Sequence, residues 1–276
     1  MSSVNTNVGA LVALSSLRSI DKELATTSKR IQTGYRVADA SDDAAVFAVA
    51  QGIRGTIKAY ASVQSSLAAG EGLGQVTSAA LKGVSDVIGD VRAKLANLAD
   101  GSLSAAQRTV YENDVNSLIG QVRNYLTQAT YNGVNLISGD GFNANASASF
   151  VADVSGTSLT LTGEDVEAAL DDFEDAFGNY QDASDYTQAV ADLDTFAAVI
   201  NSRSASIAAE TRSLSLQRNF VNDLVDATKK GLGALVDADV AAESAILQSL
   251  QVRQQLAMQA LSIANQSPAT ILSLFR

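Results

Sequence analysis

Cysteine and histidine are absent from the 276 residues. Their absence excludes disulfides, thiolate nucleophiles, thiolate or imidazole metal sites and any catalytic triad built on histidine. A chain of this size without disulfides is held by packing or by neighbours. Tryptophan is absent too, and only 5% of residues are aromatic although 46% are hydrophobic. The apolar content is mostly Ala, Val, Leu and Ile, which suits thin seams between long helices better than one thick core. Proline occurs once, at Pro268, so nothing upstream forbids very long helices.

Charge of one sign is missing from whole intervals. No Lys or Arg lies between Arg123 and Arg203, an interval that holds Glu164, Asp165, Glu167, Asp171, Asp172, Glu174 and Asp175. No acid follows Glu243. With a net charge of -11, the middle is expected to be solvated and self-repelling, while the ends can pack without charge repulsion. There is no basic patch with interleaved aromatics, which argues against nucleic acid as a partner. No run approaches the roughly eighteen apolar residues of a membrane span, so no membrane insertion is expected. The opening MSSVNTNVGALVALSSLRSIDKE has no basic n-region, and its apolar positions alternate with Ser, Thr and Asn. It does not read as a signal peptide, so a route out of the cell without a cleaved leader is expected.

The stretch Arg30 to Arg54 reads as a joint. A helical pattern runs to Ile31 and Gln32 and meets Gly34, a C-cap candidate because glycine adopts the left-handed conformation without strain. A polar turn follows. Ser41 is expected to cap a new helix, with Asp42 and Asp43 where the helix dipole favours negative charge. The run Val236-Asp-Ala-Asp239 mirrors this joint near the other end.

Between and beyond the joints the period is helical. Ala10, Ala13, Leu17, Ile20, Leu24, Thr27 and Ile31 form a heptad seam, widened by Leu11 and Leu14. Ala80, Val84, Val87, Val91 and Leu98, helped by Val76 and Leu95, give another. Ser104 and Gln107 form a capping box for a helix to about Thr127, with Val110, Val115, Leu118, Val122 and Tyr125 expected inward. The longest seam runs from Tyr186 through Val190, Leu193, Ala197, Ile200, Ser204, Ile207, Thr211, Leu214, Arg218, Val221, Val225 and Thr228 to Leu232. Such length needs partner helices and predicts a bundle of long antiparallel helices. Residues 131–162 differ. Asn132-Gly133 is a turn signal, and alternating Val134, Leu136, Ala148 to Val154 and Ser158 to Leu161 predict short strands with a hairpin at Ser155-Gly156-Thr157. Glu164 to Phe177 reads as a short acidic helix with Val166, Leu170, Phe173 and Phe177 on one face.

Two stretches imitate chemical sites. Gly70-Glu71-Gly72-Leu73-Gly74 lacks GxGxxG spacing, a preceding strand and a following GK[ST], so close helix approach or a bend is the reading rather than a phosphate loop. The carboxylates of 164–177 lack EF-hand spacing and read as a solvated face. No cofactor and no metal is expected.

The last segment, Ala241 to Arg276, carries Ile246, Leu247, Leu250, Leu256, Leu261, Ile263, Ile271, Leu272, Leu274 and Phe275 on more than one face. A helix apolar nearly all round must be buried. Residues 5–31 can cover only part of it, and other copies of the chain must cover the rest.

These residues resemble the bacterial flagellins. VNTNVGALVALSSL is similar to that family's start. Arg30 to Ala50 resembles its signature, with Gly34, Arg36, Asp42, Asp43, Ala44 and Ala45 in place. LSIANQSPATILSLFR resembles its C-terminal motif, with Ala264, Asn265, Gln266, Pro268, Leu272, Leu274 and Arg276 as expected. The resemblance implies a mainly α fold, a long antiparallel bundle and coiled coil with a small β-hairpin region. It implies an inner coiled-coil domain of residues 1–40 and 236–276. It implies an outer domain of residues 41–235, whose β region at about 131–182 leaves no large outer insert. The function implied is that of a self-assembling subunit of the extracellular flagellar filament, used for swimming and without enzymatic activity. Implied partners are further copies, sibling flagellins, the flagellar export apparatus, and cap and hook-associated proteins. Packing between subunits would use Leu11, Leu17, Ile20, Leu24, Ile31, Leu247, Leu250, Leu256, Leu261, Ile271, Leu272, Leu274 and Phe275. The joint would use Gly34, Arg36, Asp42 and Asp43. The chain departs from the family at Ala38-Asp39, where Asn-Ser is usual. It also has Arg92-Ala93-Lys94-Leu95 where flagellins seen by the animal innate immune receptor carry Arg-Glu-Leu, so receptor binding is not implied. Two other functions compete: a hook–filament junction protein, and a membrane-active secreted helical protein. The C-terminal motif disfavours the first; the lack of a Lys/Arg-rich polar face with aromatic anchors disfavours the second.

Overall fold

Six helices and four short strands follow one another in a computed structural model that describes residues 6–138 and 147–274, with side chains described to residue 266. The helices are α1 (Val8–Thr33), α2 (Ala44–Leu98), α3 (Ala105–Gln128), α4 (Val166–Phe177), α5 (Ala183–Val236) and α6 (Val240–Leu274). The strands are β1 (Thr130–Tyr131), β2 (Val134–Asn135), β3 (Ala148–Val151) and β4 (Ser158–Leu161). Their contacts sort the chain into two compact units. One is Lys58–Val225; the other joins the chain up to Ile57 with the chain from Asp226 onward.

In the Lys58–Val225 unit, α2 and α5 run antiparallel. Gln64 donates to Asn222, Arg218 pairs with Glu71 at 3.0 Å, and Arg92 pairs with Asp194. The buried line along α2 in this unit is Val63, Leu67, Thr77, Leu81, Val84, Ile88, Val91, Leu95 and Leu98, with Glu71 and Leu73 buried beside it. With Gly70 and Gly74, also buried, it keeps an alternating four-then-three spacing throughout. The expected seam residues Val84, Val91, Leu95 and Leu98 belong to it. Val76, Ala80 and Val87 lie at its margin and are half-buried. On α5 the buried line is Tyr186, Ala189, Leu193, Phe196, Ile200, Arg203, Ile207, Leu214, Val221 and Val225.

α3 opens on the expected capping box at Ser104 and Gln107 and lies antiparallel to α2, where Lys94 pairs with Asp114 at 2.8 Å. Val115, Ile119, Val122 and Leu126 face inward. Val110 and Tyr125, expected inward, are exposed. A helix with near-adjacent apolar residues can turn either neighbour in, and packing on α2 selects the 115–119–122–126 line. Tyr125 instead lies over Gly83 of α2, where an added Cβ would sit 3.2 Å from its ring.

β1 and β2 pair across the Asn132-Gly133 turn, both residues having positive φ. β3 and β4 form an antiparallel hairpin with Ala148 opposite Leu161 and Val151 opposite Ser158. Gly156, at φ 91°, takes the tight position in its turn. The glycine-rich stretch of α2 lies under these strands and against α5. A Cβ at Gly70 would strike the Phe150 ring at 2.8 Å, at Gly72 the Tyr131 ring at 3.0 Å, and at Gly74 the Thr211 side chain. Close approach, and no phosphate cradle, accounts for these glycines.

Candidate assembly surface

The unit containing the chain termini is organised by an antiparallel pair, α1 on α6. Three polar bonds fix its register. Arg30 Nη1 donates to Glu243 Oε1 at 2.9 Å, Gln254 Nε2 to Asp21 Oδ1 at 2.7 Å, and Asn7 Nδ2 to the carbonyl of Ala264 at 2.7 Å. Every position of the expected α1 seam, Ala10, Ala13, Leu17, Ile20, Leu24, Thr27 and Ile31, is buried or half-buried, as are Leu14 and, near the joint, Thr26, Ser28, Lys29 and Arg30. On α6 the matching line is Glu243, Leu247, Leu250, Gln254, Ala257, Leu261 and Ala264, again at four-then-three spacing, with Ser244 half-buried beside it. Leu250 is the most enclosed, at 3% exposed.

The pair leaves much apolar surface open. Leu11 and Leu256 are each 58% exposed and Ile263 is 70% exposed. Val8, Val12, Ile246, Val252 and Met258 are exposed with them. Thus the residues assigned to subunit packing fall into separate sets. Leu17, Ile20, Leu24, Ile31, Leu247, Leu250 and Leu261 sit in the intrachain seam. Leu11 and Leu256 sit outside it. Ile271, Leu272 and Leu274 lie in α6 beyond the described side chains, and Phe275 lies outside the described residues.

The two joints meet. Gly34 ends α1 at φ 71° with its N–H on the Arg30 carbonyl. The Arg36 N–H donates to the Val236 carbonyl at 2.7 Å, its guanidinium to the Leu235 carbonyl at 2.6 Å, and the Ala238 N–H to the Gly34 carbonyl at 2.9 Å. Ser41 was expected to cap α2, but the helix starts later and Asp43 caps it, its Oδ1 accepting from Ala45 and Val46. Asp43 stands immediately before the first helical residue and so reaches the free N–H groups, while the Ser41 hydroxyl is taken up by Asp39. Asp42 accepts from the N–H groups of Ala38 and Asp39 and pairs with Lys29, which also pairs with Asp39 at 2.6 Å. The departure at Ala38-Asp39 therefore supplies a second carboxylate for Lys29. Hydrogen bonds from Lys29 and from Ser41 hold the Asp39 carboxyl well below the usual carboxylate range, and the same lysine lowers Asp42. At the second joint Asp239 caps α6 through Ala241 and Ala242.

Three buried charges in the other unit were not anticipated: Glu71, paired with Arg218, and Glu167 and Arg203. Glu167, read as part of a solvated acidic face, is 4% exposed; it accepts from Ser138 Oγ at 2.6 Å and pairs with Arg123 at 3.0 Å. Arg123 also gathers Asp171 and Glu174, each at 2.6 Å, and so ties α4 to α3. Arg203, 2% exposed, donates to the Thr162 carbonyl at the end of β4. Burial pulls its guanidinium below its usual value, against Glu210 and Glu164. Among the described residues no group of three or more carboxylates could hold a metal ion, and no helix is long and apolar enough to cross a membrane.

Residues 4–141 match the family described as bacterial flagellin N-terminal helical region, and residues 187–275 match the bacterial flagellin C-terminal helical region. Aligned over 276 residues, the chain is 35% identical to flagellin FljK of Caulobacter vibrioides, covering 100% of this chain and 99% of the relative. It is 38% identical to flagellin FljN of the same organism, with the same coverage. The solved structure of a putative flagellar hook-associated protein from Vibrio parahaemolyticus is similar at a TM-score of 0.61, over 71% of this chain and 100% of that one. At 15% identity that likeness concerns the fold alone.

Proposed function

The chain belongs to the bacterial flagellin family, and on that premise we propose how its residues build the polymer. It is a structural subunit of the extracellular flagellar filament, serving motility, and not an enzyme. Its contacts to neighbouring copies are made by the faces of α1 and α6 that their own pairing leaves open, with Leu11 and Leu256 among them. The intrachain seam holds those faces in place: Leu17, Ile20, Leu24, Ile31, Leu247, Leu250 and Leu261. Ile271, Leu272, Leu274 and Phe275 extend the packing surface. Residues 1–40 and 236–276 are the inner domain and 41–235 the outer one, with Gly34, Arg36, Asp42 and Asp43 fixing the passage between them. Sibling flagellins co-assemble with it, the flagellar export apparatus delivers it, and cap and hook-associated proteins bound the polymer.

One observation supports this reading above the others. The matched terminal regions are where large aliphatic side chains remain exposed along both helices, and apolar surface of that extent marks an interaction site. A hook–filament junction role is not favoured, because the flagellin relatives align over the whole chain. The test is polymerisation on sheared fragments of the protein's own filaments, followed by electron microscopy. Leu11→Asp and Leu256→Asp would each bury an unpaired carboxylate at a subunit contact, costing roughly several kcal/mol, and should abolish filaments. Asp172→Ala, on an exposed face of α4, should leave them intact. Normal filaments from both Leu→Asp variants would refute the reading.

A further inference from the structure

A groove of about 480 Å³ opens on the α1–α6 pair, lined by Thr27, Arg30, Glu243, Ile246 and Leu250 among others. Arg30 and Glu243 are bonded to each other through Nη1 and Oε1. Each also keeps a buried polar atom without a partner in the chain: Arg30 Nε, a donor, and Glu243 Oε2, an acceptor. Glu243 itself is only 8% exposed. Buried polar atoms left unpaired are costly, so the pair calls for a group that accepts from one and donates to the other. Lys22 and Glu23 also line the groove, so its charges balance; a carboxylate would repel Glu243 and Glu23, and an ammonium would repel Arg30 and Lys22. A primary carboxamide offers the acceptor and the donors on separate atoms.

Such an amide stands in the open stripe of α6. Val252, Leu256, Gln259 and Ile263 share one face at four-three-four spacing, displaced from the inner seam, and all four are exposed. Over these four residues Gln259 is the one polar member between aliphatic neighbours, the pattern by which one buried amide fixes register in coiled coils. No acid follows Glu243 in the chain, so nothing else on that stripe opposes the Glu243 carboxylate. Gln259 cannot reach the groove of its own chain. It lies on the same helix as Glu243, about 24 Å further along at 1.5 Å per residue.

We propose that the groove over Arg30 and Glu243 receives the side-chain amide of Gln259 from a second copy of this chain, with Leu256 and Ile263 of that copy packing about the rim at Ile246. The proposal rests on the reading that α1 and α6 make the filament contacts, and it assigns one such contact and the residue that sets its register.

The test is growth of full-length subunits on sheared filament ends, read as the critical concentration, with thermal melting of the free subunit as the check on folding. Gln259→Glu sets a carboxylate against Glu243 and should raise the critical concentration on the order of tenfold or more, while the free subunit melts like the parent. Adding Glu243→Gln exchanges the two groups across the contact and should bring growth back to within about threefold of the parent, because a carboxylate and an amide again face each other. Parental growth of Gln259→Glu, or a double variant no better than the single one, would overturn the proposal. Should Glu243→Gln lower the melting point of the free subunit, Gln259→Leu decides instead: slower growth is expected, and parental growth overturns it. Leu256→Asp separates the two levels. If it stops growth while Gln259→Glu does not, only the docking of Gln259 falls; if neither variant affects growth, the terminal-helix reading falls as well.

Discussion

The side-chain amide of Asn7 donates to the backbone carbonyl of Ala264 at 2.7 Å while its oxygen accepts from the N–H of Ala10 at 3.0 Å. One residue thus caps the first turn of α1 and ties that turn to α6 across 257 positions of sequence. With Arg30–Glu243 near the joint and Asp21–Gln254 between them, it fixes the register in which the two terminal helices pair. That register decides which apolar residues remain outside.

The two roles of Asn7 separate by substitution. Asn7→Ala loses both and should destabilise the start of α1 by about 1 kcal/mol, the usual cost of a lost N-cap. Asn7→Asp keeps the cap acceptor but cannot donate to Ala264. Amide hydrogen exchange should accelerate over residues 8–14 and around 264 in Asn7→Ala. In Asn7→Asp the acceleration should be confined to the neighbourhood of 264. Equal acceleration at both places in both variants would show that the tie contributes nothing separate from the cap.

Gly74 is required by the close approach of α2 to α5. A Cβ there would collide with Thr211 Oγ1, so Gly74→Ala should destabilise the Lys58–Val225 unit by about 1–3 kcal/mol. Adding Thr211→Ala should recover part of the loss. Gly89, also in α2, has nothing within 4 Å of such a Cβ, and Gly89→Ala should stabilise by up to about 1 kcal/mol. Denaturant melts of the variants check the ordering. A Gly74→Ala protein as stable as the parent would contradict it.

The joint should loosen in acid. The carboxyls of Asp39 and Asp42 are both depressed by hydrogen bonds from Lys29. A carboxyl whose folded value is depressed contributes stability above its unfolded value and loses it as pH falls towards the folded one. Exchange of the Ala38 and Asp39 N–H groups, both bonded to Asp42, corrected for intrinsic rates, should therefore lose protection below about pH 4. In Lys29→Met, which removes the main cause of the depression, protection should be lower at neutral pH and the loss should begin at higher pH. An unchanged profile in Lys29→Met would count against the arrangement.

Much of this was legible in the sequence where a residue's neighbours are local. The α1 seam, Gly34, the capping box at Ser104, the inward face of α4 and the β3–β4 turn depend on residues within a few positions of one another. Register between long helices was less so. In α2, Ala80 stands beside Leu81 and Val87 beside Ile88, and periodicity cannot choose between adjacent apolar residues; packing in the bundle buries Leu81 and Ile88. In α3 the same ambiguity set Tyr125 against Leu126. Arg203 gave no signal, because its partner is a backbone carbonyl 41 residues away. Glu167 looked like Asp171 and Glu174, which share Arg123 with it, and differs from them by its burial and its hydrogen bond from Ser138. Of the assembly surface, the excess of apolar residues in 241–276 was plain from the sequence. Which of them the chain covers itself required the α1–α6 register.

The central claim is that the apolar stripe left open on α6 is covered by other copies in the filament. The chain has no cysteine, so Leu256→Cys carries a single thiol at a position 58% exposed in the free subunit. The direct measurement is the rate at which that thiol reacts with a maleimide in free subunits and in filaments, the filaments containing enough parent protein to assemble. Thiol reactivity follows exposure, so the account predicts labelling at least about tenfold slower in the filament. Equal rates in subunit and filament would show that Leu256 stays open to solvent after assembly and would contradict the account.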